Sequence, residues 1–87
     1  MTDETLLEFP LDFPIKIMGE DTPEFRQVAR SIVENHTGPL DDSAITTALS
    51  RNERFVSVTI TINAQSREQL DSIYLDLTAH DAVKMAL

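Results

Sequence analysis

Residues Phe55 to Ala64 read Phe-Val-Ser-Val-Thr-Ile-Thr-Ile-Asn-Ala. Val56, Val58, Ile60 and Ile62 alternate with Ser57, Thr59, Thr61 and Asn63, the two-residue period of a strand with one buried and one polar face. The four apolar members are all β-branched, which suits a pleated surface packed under helices. No other stretch of the chain alternates for so long. It belongs at the centre of a sheet, and the rest of the chain must cover its apolar face.

The other elements can be placed around it. Phe13, Ile15 and Ile17 alternate with Lys16 and Met18, which predicts a first strand over about 13–19. Pro10 and Pro14 keep the preceding residues from being a helix and argue against a central strand position there. Residues 1–12 therefore read as an extended lead-in to a single domain at 13–87, with Leu7 and Phe9 packing on its edge or meeting a partner. Thr22 is a good N-cap and Pro23 fits the first helical position. Phe25, Val28, Ala29, Ile32, Val33 and His36 then recur at helical spacing, and Gly38-Pro39 ends the helix.

Within 43–50, Ile45, Thr47 and Leu49 oppose Ala44, Thr46 and Ala48, a weaker pattern suited to an edge strand. Arg51-Asn52-Glu53-Arg54 makes a short connection into the central strand. Ser66-Arg67-Glu68-Gln69 is a capping box that opens a second amphipathic helix carrying Leu70, Ile73, Tyr74 and Leu77. Val83, Met85 and Leu87 then fall on one face of a final strand. The order strand, helix, strand, strand, helix, strand predicts an α+β, ferredoxin-like two-layer sandwich. Its antiparallel sheet has the order 4-1-3-2, with both helices on one side.

Composition excludes several function classes. With no cysteine among 87 residues there is no disulfide, thiolate zinc site or cysteine nucleophile. A net charge of −8 opposes nucleic acid, whose binding rests on cations that neutralise phosphates, and opposes an anionic membrane for the same reason. The RNA-recognition modules that share this strand order stack bases on aromatics of the central strands. Here the open face carries Lys16, Met18, Ser57, Thr59, Thr61 and Asn63, with no aromatic in mid-strand. The acidic start at Asp3 and Glu4 is unlike a secretory signal, and no apolar run could cross a bilayer, so the expected location is the cytoplasm.

Candidate chemistry is sparse. His36 lies on the apolar side of the first helix, and the adjacent pair His80-Asp81 could orient an imidazole, but no local motif marks an activated nucleophile. Glu20-Asp21 and Asp41-Asp42 lack the spacing of a calcium loop. The expectation is a non-enzymatic protein with no metal and no cofactor.

Two places remain for binding. Gly19, Glu20, Asp21, Thr22 and Pro23 form the turn before the first helix. In Asp21 and Pro23 this turn resembles the ligand loop of ACT regulatory domains, which have this fold and bind amino acids there. Glu24 stands where that family commonly has glycine, and its charge would repel a ligand carboxylate. Gly19, Asp21, Thr22 and Pro23 are the candidate ligand-binding residues. The other place is the uncovered sheet face, where Met18, Thr59 and Thr61, with Ala44, Ala48 and Ala86, could meet another protein or a second copy of the chain. The final strand offers an edge for the same purpose. With Leu7 and Phe9 of the lead-in, Met18, Thr59 and Thr61 are the candidate partner-binding residues.

Several segments together resemble one family. Leu6-Leu7-Glu8-Phe9-Pro10, Phe13, Lys16, Met18-Gly19, Val58-Thr59-Ile60-Thr61-Ile62-Asn63-Ala64 and the ending Val83-Lys84-Met85-Ala86-Leu87 are similar to the YbeD-like proteins. These are small bacterial proteins of unknown function with an ACT-like, ferredoxin-type fold. The resemblance spans nearly the whole chain and implies that fold and a bacterial cytosol. It brings no catalytic residue, and by analogy with ACT domains it suggests regulation.

Overall fold

A computed structural model describes residues 7–50, 52 and 54–87. Leu6 of the lead-in and Arg51 and Glu53 of the hairpin connection lie outside the described residues. The elements are β1 (Leu11–Glu20), α1 (Pro23–Thr37), a 3-10 turn at Asp42–Ala44, β2 (Ile45–Leu49), β3 (Phe55–Ala64), α2 (Arg67–Ala79) and β4 (Met85–Ala86). The four strands form one antiparallel sheet in the order β2-β3-β1-β4.

β3 and β1 are paired along their whole length, from Leu11 opposite Ala64 to Glu20 opposite Phe55. That register brings Ile15, Ile17, Val58, Ile60 and Ile62 onto one face, where each is buried. Phe25, Ala29 and Val33 of α1 and Leu70, Ile73 and Leu77 of α2 close over that face and complete a single core. Each helix thus buries one stripe at spacings of three and four, and leaves the rest to solvent. A fully buried side chain of this size stabilises the fold by roughly 1.5–3 kcal/mol.

β1 starts two residues earlier than the alternation implied and contains Pro14 in a strand that lies inside the sheet. The backbone explains why this is tolerated. Lys16 exchanges hydrogen bonds with Leu87, at 3.0 and 2.8 Å, so the even residues of β1 point their amides toward β4. Pro14, two residues earlier, has its missing N–H on that same side, beyond the residues that pair with β4. β1 is locally an edge there, as a proline requires.

The last strand departs from the expectation. Val83 closes a turn by donating its N–H to the His80 carbonyl at 3.0 Å, and only Met85 and Ala86 pair as β4. Ala86 lies opposite Ile17 and packs against the core, whereas Met85 lies opposite half-buried Met18. Met85 and Leu87 therefore emerge on the open face, 50% and 62% exposed, and do not share a face with buried Val83. Ala86 leaves the set of open-face residues accordingly, and Ala44 sits in the 3-10 turn before β2.

The caps form where the sequence places them, with two differences. Thr22 Oγ1 accepts from the Phe25 N–H at 3.0 Å, and Ser66 Oγ from the Gln69 N–H at 3.1 Å. The Gln69 side chain, however, accepts from the N–H of Gln65 (2.8 Å) and donates to the carbonyl of His36 (3.0 Å). The second half of the capping box is thereby moved one residue out and tied to the end of α1. Gly38 ends α1 at φ 82° and ψ −178°, extended with positive φ, a region outside the left-handed helical cap that side chains avoid.

The loop after α1 is held by a charged clamp. Arg30 donates to Glu34 (3.1 Å), Asp42 (2.8 Å) and the Leu40 carbonyl (2.6 Å), while Glu34 accepts from the Leu40 N–H at 2.8 Å. The Leu40 N–H first, and then Arg30, hold the Glu34 carboxyl below its ordinary range. A carboxyl depressed in the folded state stabilises it above its unfolded value near 4.5, and that contribution disappears as pH falls through the lower folded value. Glu34→Gln should accordingly lower the melting temperature at neutral pH, and the gap to the native chain should shrink in melts taken at progressively more acid pH. A gap that stays constant would show that the charge of Glu34 contributes nothing.

Candidate functional site

The two sheet faces differ in cover. The helices close one, and across the other run Lys16 and Met18 of β1, Thr46 and Ala48 of β2, and Phe55, Ser57, Thr59 and Thr61 of β3. Small residues form a floor here between taller ones. Ser57 lies between Met18 on one side and Ala48 on the other, and Phe55 stands at the start of the same strand. The result is a hollow of about 300 Å3 whose lining includes Lys16, Met18, Ala48, Leu49, Phe55 and Ser57.

Phe55 is a functional candidate that the sequence reading omitted. It is 37% exposed, with the Arg54 guanidinium 5.4 Å from its ring centre. The signal was present, because Phe55 has the same parity as Ser57 and Thr59. Met85 and Leu87 extend the apolar surface from the other side of Met18. Thr59 is half-buried and faces Lys16 across the ladder, and Thr61 is exposed further along, opposite Pro14. Among the predicted partner-binding residues, Met18 lines this hollow, and Thr59 and Thr61 lie outside it on the same face. Phe9 packs against the core and Leu7 is half-buried, so these two residues of the lead-in sit on the domain.

The turn between β1 and α1 is occupied by its own chain. A Cβ on Gly19 would come within 2.5 Å of the Phe25 ring and 2.6 Å of the Ala82 carbonyl oxygen. Asp21 receives the Arg26 guanidinium at 2.8 and 3.2 Å, Thr22 caps α1 and Pro23 begins it. A shallow hollow of about 200 Å3 beside the turn is bordered by Glu20, Glu24, Asp81 and Lys84. Three carboxylates there disfavour a ligand carboxylate.

Neither histidine lines these two hollows, although His80 shares a neighbouring one with Glu24. His36 Nε2 is 2.6 Å from Asp76 Oδ2, joining α1 to α2. His80 accepts the Ala82 N–H on Nδ1 at 3.1 Å, so its ring is turned onto its own backbone. Among the described residues no group of three or more His, Asp or Glu side chains could hold a metal ion, and no helix is long and apolar enough to cross a membrane.

Fold and site together define a small α+β protein whose antiparallel sheet is roofed by two helices on one side and, among the described residues, uncovered on the other. The chain belongs to the family described as "Protein of unknown function (DUF493)", whose model matches residues 4–87, and to which the YbeD-like resemblance pointed. It is 47% identical over 87 residues, all of both chains, to a UPF0250 protein of Nitrosomonas europaea. A UPF0250 protein of Paraburkholderia phytofirmans is 45% identical over 85 residues, covering 98% of this chain and 96% of that one. One from Hahella chejuensis is 42% identical over 81 residues, 93% and 89% of the two chains.

Proposed function

We propose that this protein is a non-enzymatic, ferredoxin-like module of the bacterial cytoplasm that regulates by binding another protein through its open sheet face. The sheet order β2-β3-β1-β4 with both helices on one side supports the fold assignment. The single observation behind the binding role is the apolar hollow bounded by Met18, Ala48 and Phe55, continued by Met85 and Leu87. Exposed apolar groups gathered on one face of a strongly acidic chain favour contact with a protein over contact with phosphates.

The test is affinity capture from a bacterial extract using the full chain. Met18→Ser and Phe55→Ser should each reduce the partner recovered by about tenfold or more, as expected for buried apolar anchors. Both side chains are partly exposed, so melting temperatures should change little. Undiminished recovery with both variants would rule out this face.

The alternative is an ACT-like sensor of amino acids at Gly19, Asp21, Thr22 and Pro23. It has less support, because Asp21 and Thr22 already have partners within the chain. A melting temperature raised by millimolar amino acid would favour it over the interaction module.

A further inference from the structure

The open face holds a charge as well as apolar groups. Lys16 stands on the rim of the hollow, one strand repeat from Met18, and its ammonium has no carboxylate partner among the described residues. Arg26, Arg30 and Arg67, all on the helices, are paired with Asp21, Glu34 or Asp42, and Asp71. Of the chain's 15 acidic residues, none among the described residues lines this hollow, and Glu20, opposite Phe55 on the same face, lies 3.8 Å from the Arg54 guanidinium. An unpaired cation beside Met18 and Phe55, on a chain of net charge −8, is complementary to a carboxylate brought by something else.

We infer that the face takes an extended protein segment that seats one apolar side chain between Met18 and Phe55 and sets an aspartate or glutamate carboxylate on Lys16. This rests on the interaction-module reading and adds the chemistry of the partner. Lys16 and Met18 are two residues apart on one strand, a separation of about 7 Å. An extended segment matches it with an acidic residue two positions from a Leu, Ile, Met or Phe. The long-range field of the chain repels a broadly acidic partner, so recognition is of a single carboxylate within an apolar stretch. A second copy fits poorly here, since two such faces would bring lysine toward lysine and add one net charge of −8 to another.

The probe is a random peptide library displayed on phage and selected on the full chain. Binding of the enriched peptides is then measured by fluorescence anisotropy. Enriched peptides should carry Asp or Glu two positions from a large apolar residue. Lys16→Glu should weaken them by about tenfold or more, since the pair becomes repulsive. A peptide with lysine in place of its acidic residue should regain affinity for Lys16→Glu. Lys16→Gln, a milder variant, should give an intermediate loss with an unchanged melting temperature. Peptides without a carboxylate, binding indifferent to Lys16→Glu, or no enrichment at all would overturn the inference. If Met18→Ser and Phe55→Ser weaken the peptides while Lys16→Glu does not, the module reading stands and the carboxylate falls. If none of the three substitutions matters, both readings fall.

Discussion

Gly19→Ala should destabilise the fold by about 2–4 kcal/mol, at or above the upper end of what one extra methyl costs in a packed core. Gly19 lies on the core face of β1 with nothing but backbone to present, and both the Phe25 ring and the Ala82 carbonyl close onto it. A Cβ 2.5 Å from the ring and 2.6 Å from the oxygen cannot be accommodated without movement. Phe25 is fully buried at the first turn of α1, so its ring cannot swing into solvent, and the Ala82 oxygen belongs to the turn that feeds β4. A domain of this size loses roughly 4–8 °C of melting temperature per kcal/mol, so the drop should be about 8–32 °C. Gly19→Ala combined with Phe25→Leu should lose less than the two separate changes added together, because the smaller side chain relieves one of the two clashes. Strict additivity in thermal melts would mean that ring and methyl do not meet. The same packing removes space for a ligand's close approach to the backbone at Gly19.

How far the sequence could be read depended on whether local chemistry or long-range contact decides a residue's position. β3 was legible because four β-branched residues alternating with polar ones satisfy only one orientation against a core. Thr22-Pro23 and Ser66 were legible because an N-cap is a contact between residues three apart. β4 was not. Val83, Met85 and Leu87 satisfy an alternation equally well, and the turn that removes Val83 from the strand depends on its bond to His80. Pro14 argued against an inner strand, and only the direction in which Lys16 bonds Leu87 shows that its missing N–H lies on the β4 side, beyond the residues that pair with β4.

The candidate site was half legible. The sequence supplied Met18 by parity, yet the hollow arises where Ala48 of one strand and Ser57 of the next meet beside Phe55 and Met18. That coincidence is a matter of register between strands. That Lys16 has no carboxylate partner among the described residues is likewise a property of three dimensions. The sequence has 15 carboxylates, and only the fold shows that none among the described residues lines the hollow beside it.

Ile60→Ala should be the costlier of any pair of changes made on the two faces of β3. Ile60 is fully buried and lies between Ile15 of β1 and Ile45 of β2, under the helices. Removing three carbons there loses the transfer free energy of the atoms and leaves a cavity that central strands, paired on both sides, are poorly able to collapse. The expected loss is about 2–5 kcal/mol. A single domain of this kind has about 5–15 kcal/mol in total, so Ile60→Ala should populate unfolded chain well below the native melting temperature. Thr59→Ala, one residue away on the open face, removes a half-buried hydroxyl-bearing side chain and should cost under about 1 kcal/mol. The contrast in urea melts is the diagnostic quantity, since both variants sit in the same strand and share its backbone propensities. Equal losses would mean that the helix-covered face is not the one that holds the molecule together. With Ile60→Ala costly and Thr59→Ala cheap, Thr59 is free of a folding role, as the proposed use of the open face for binding requires.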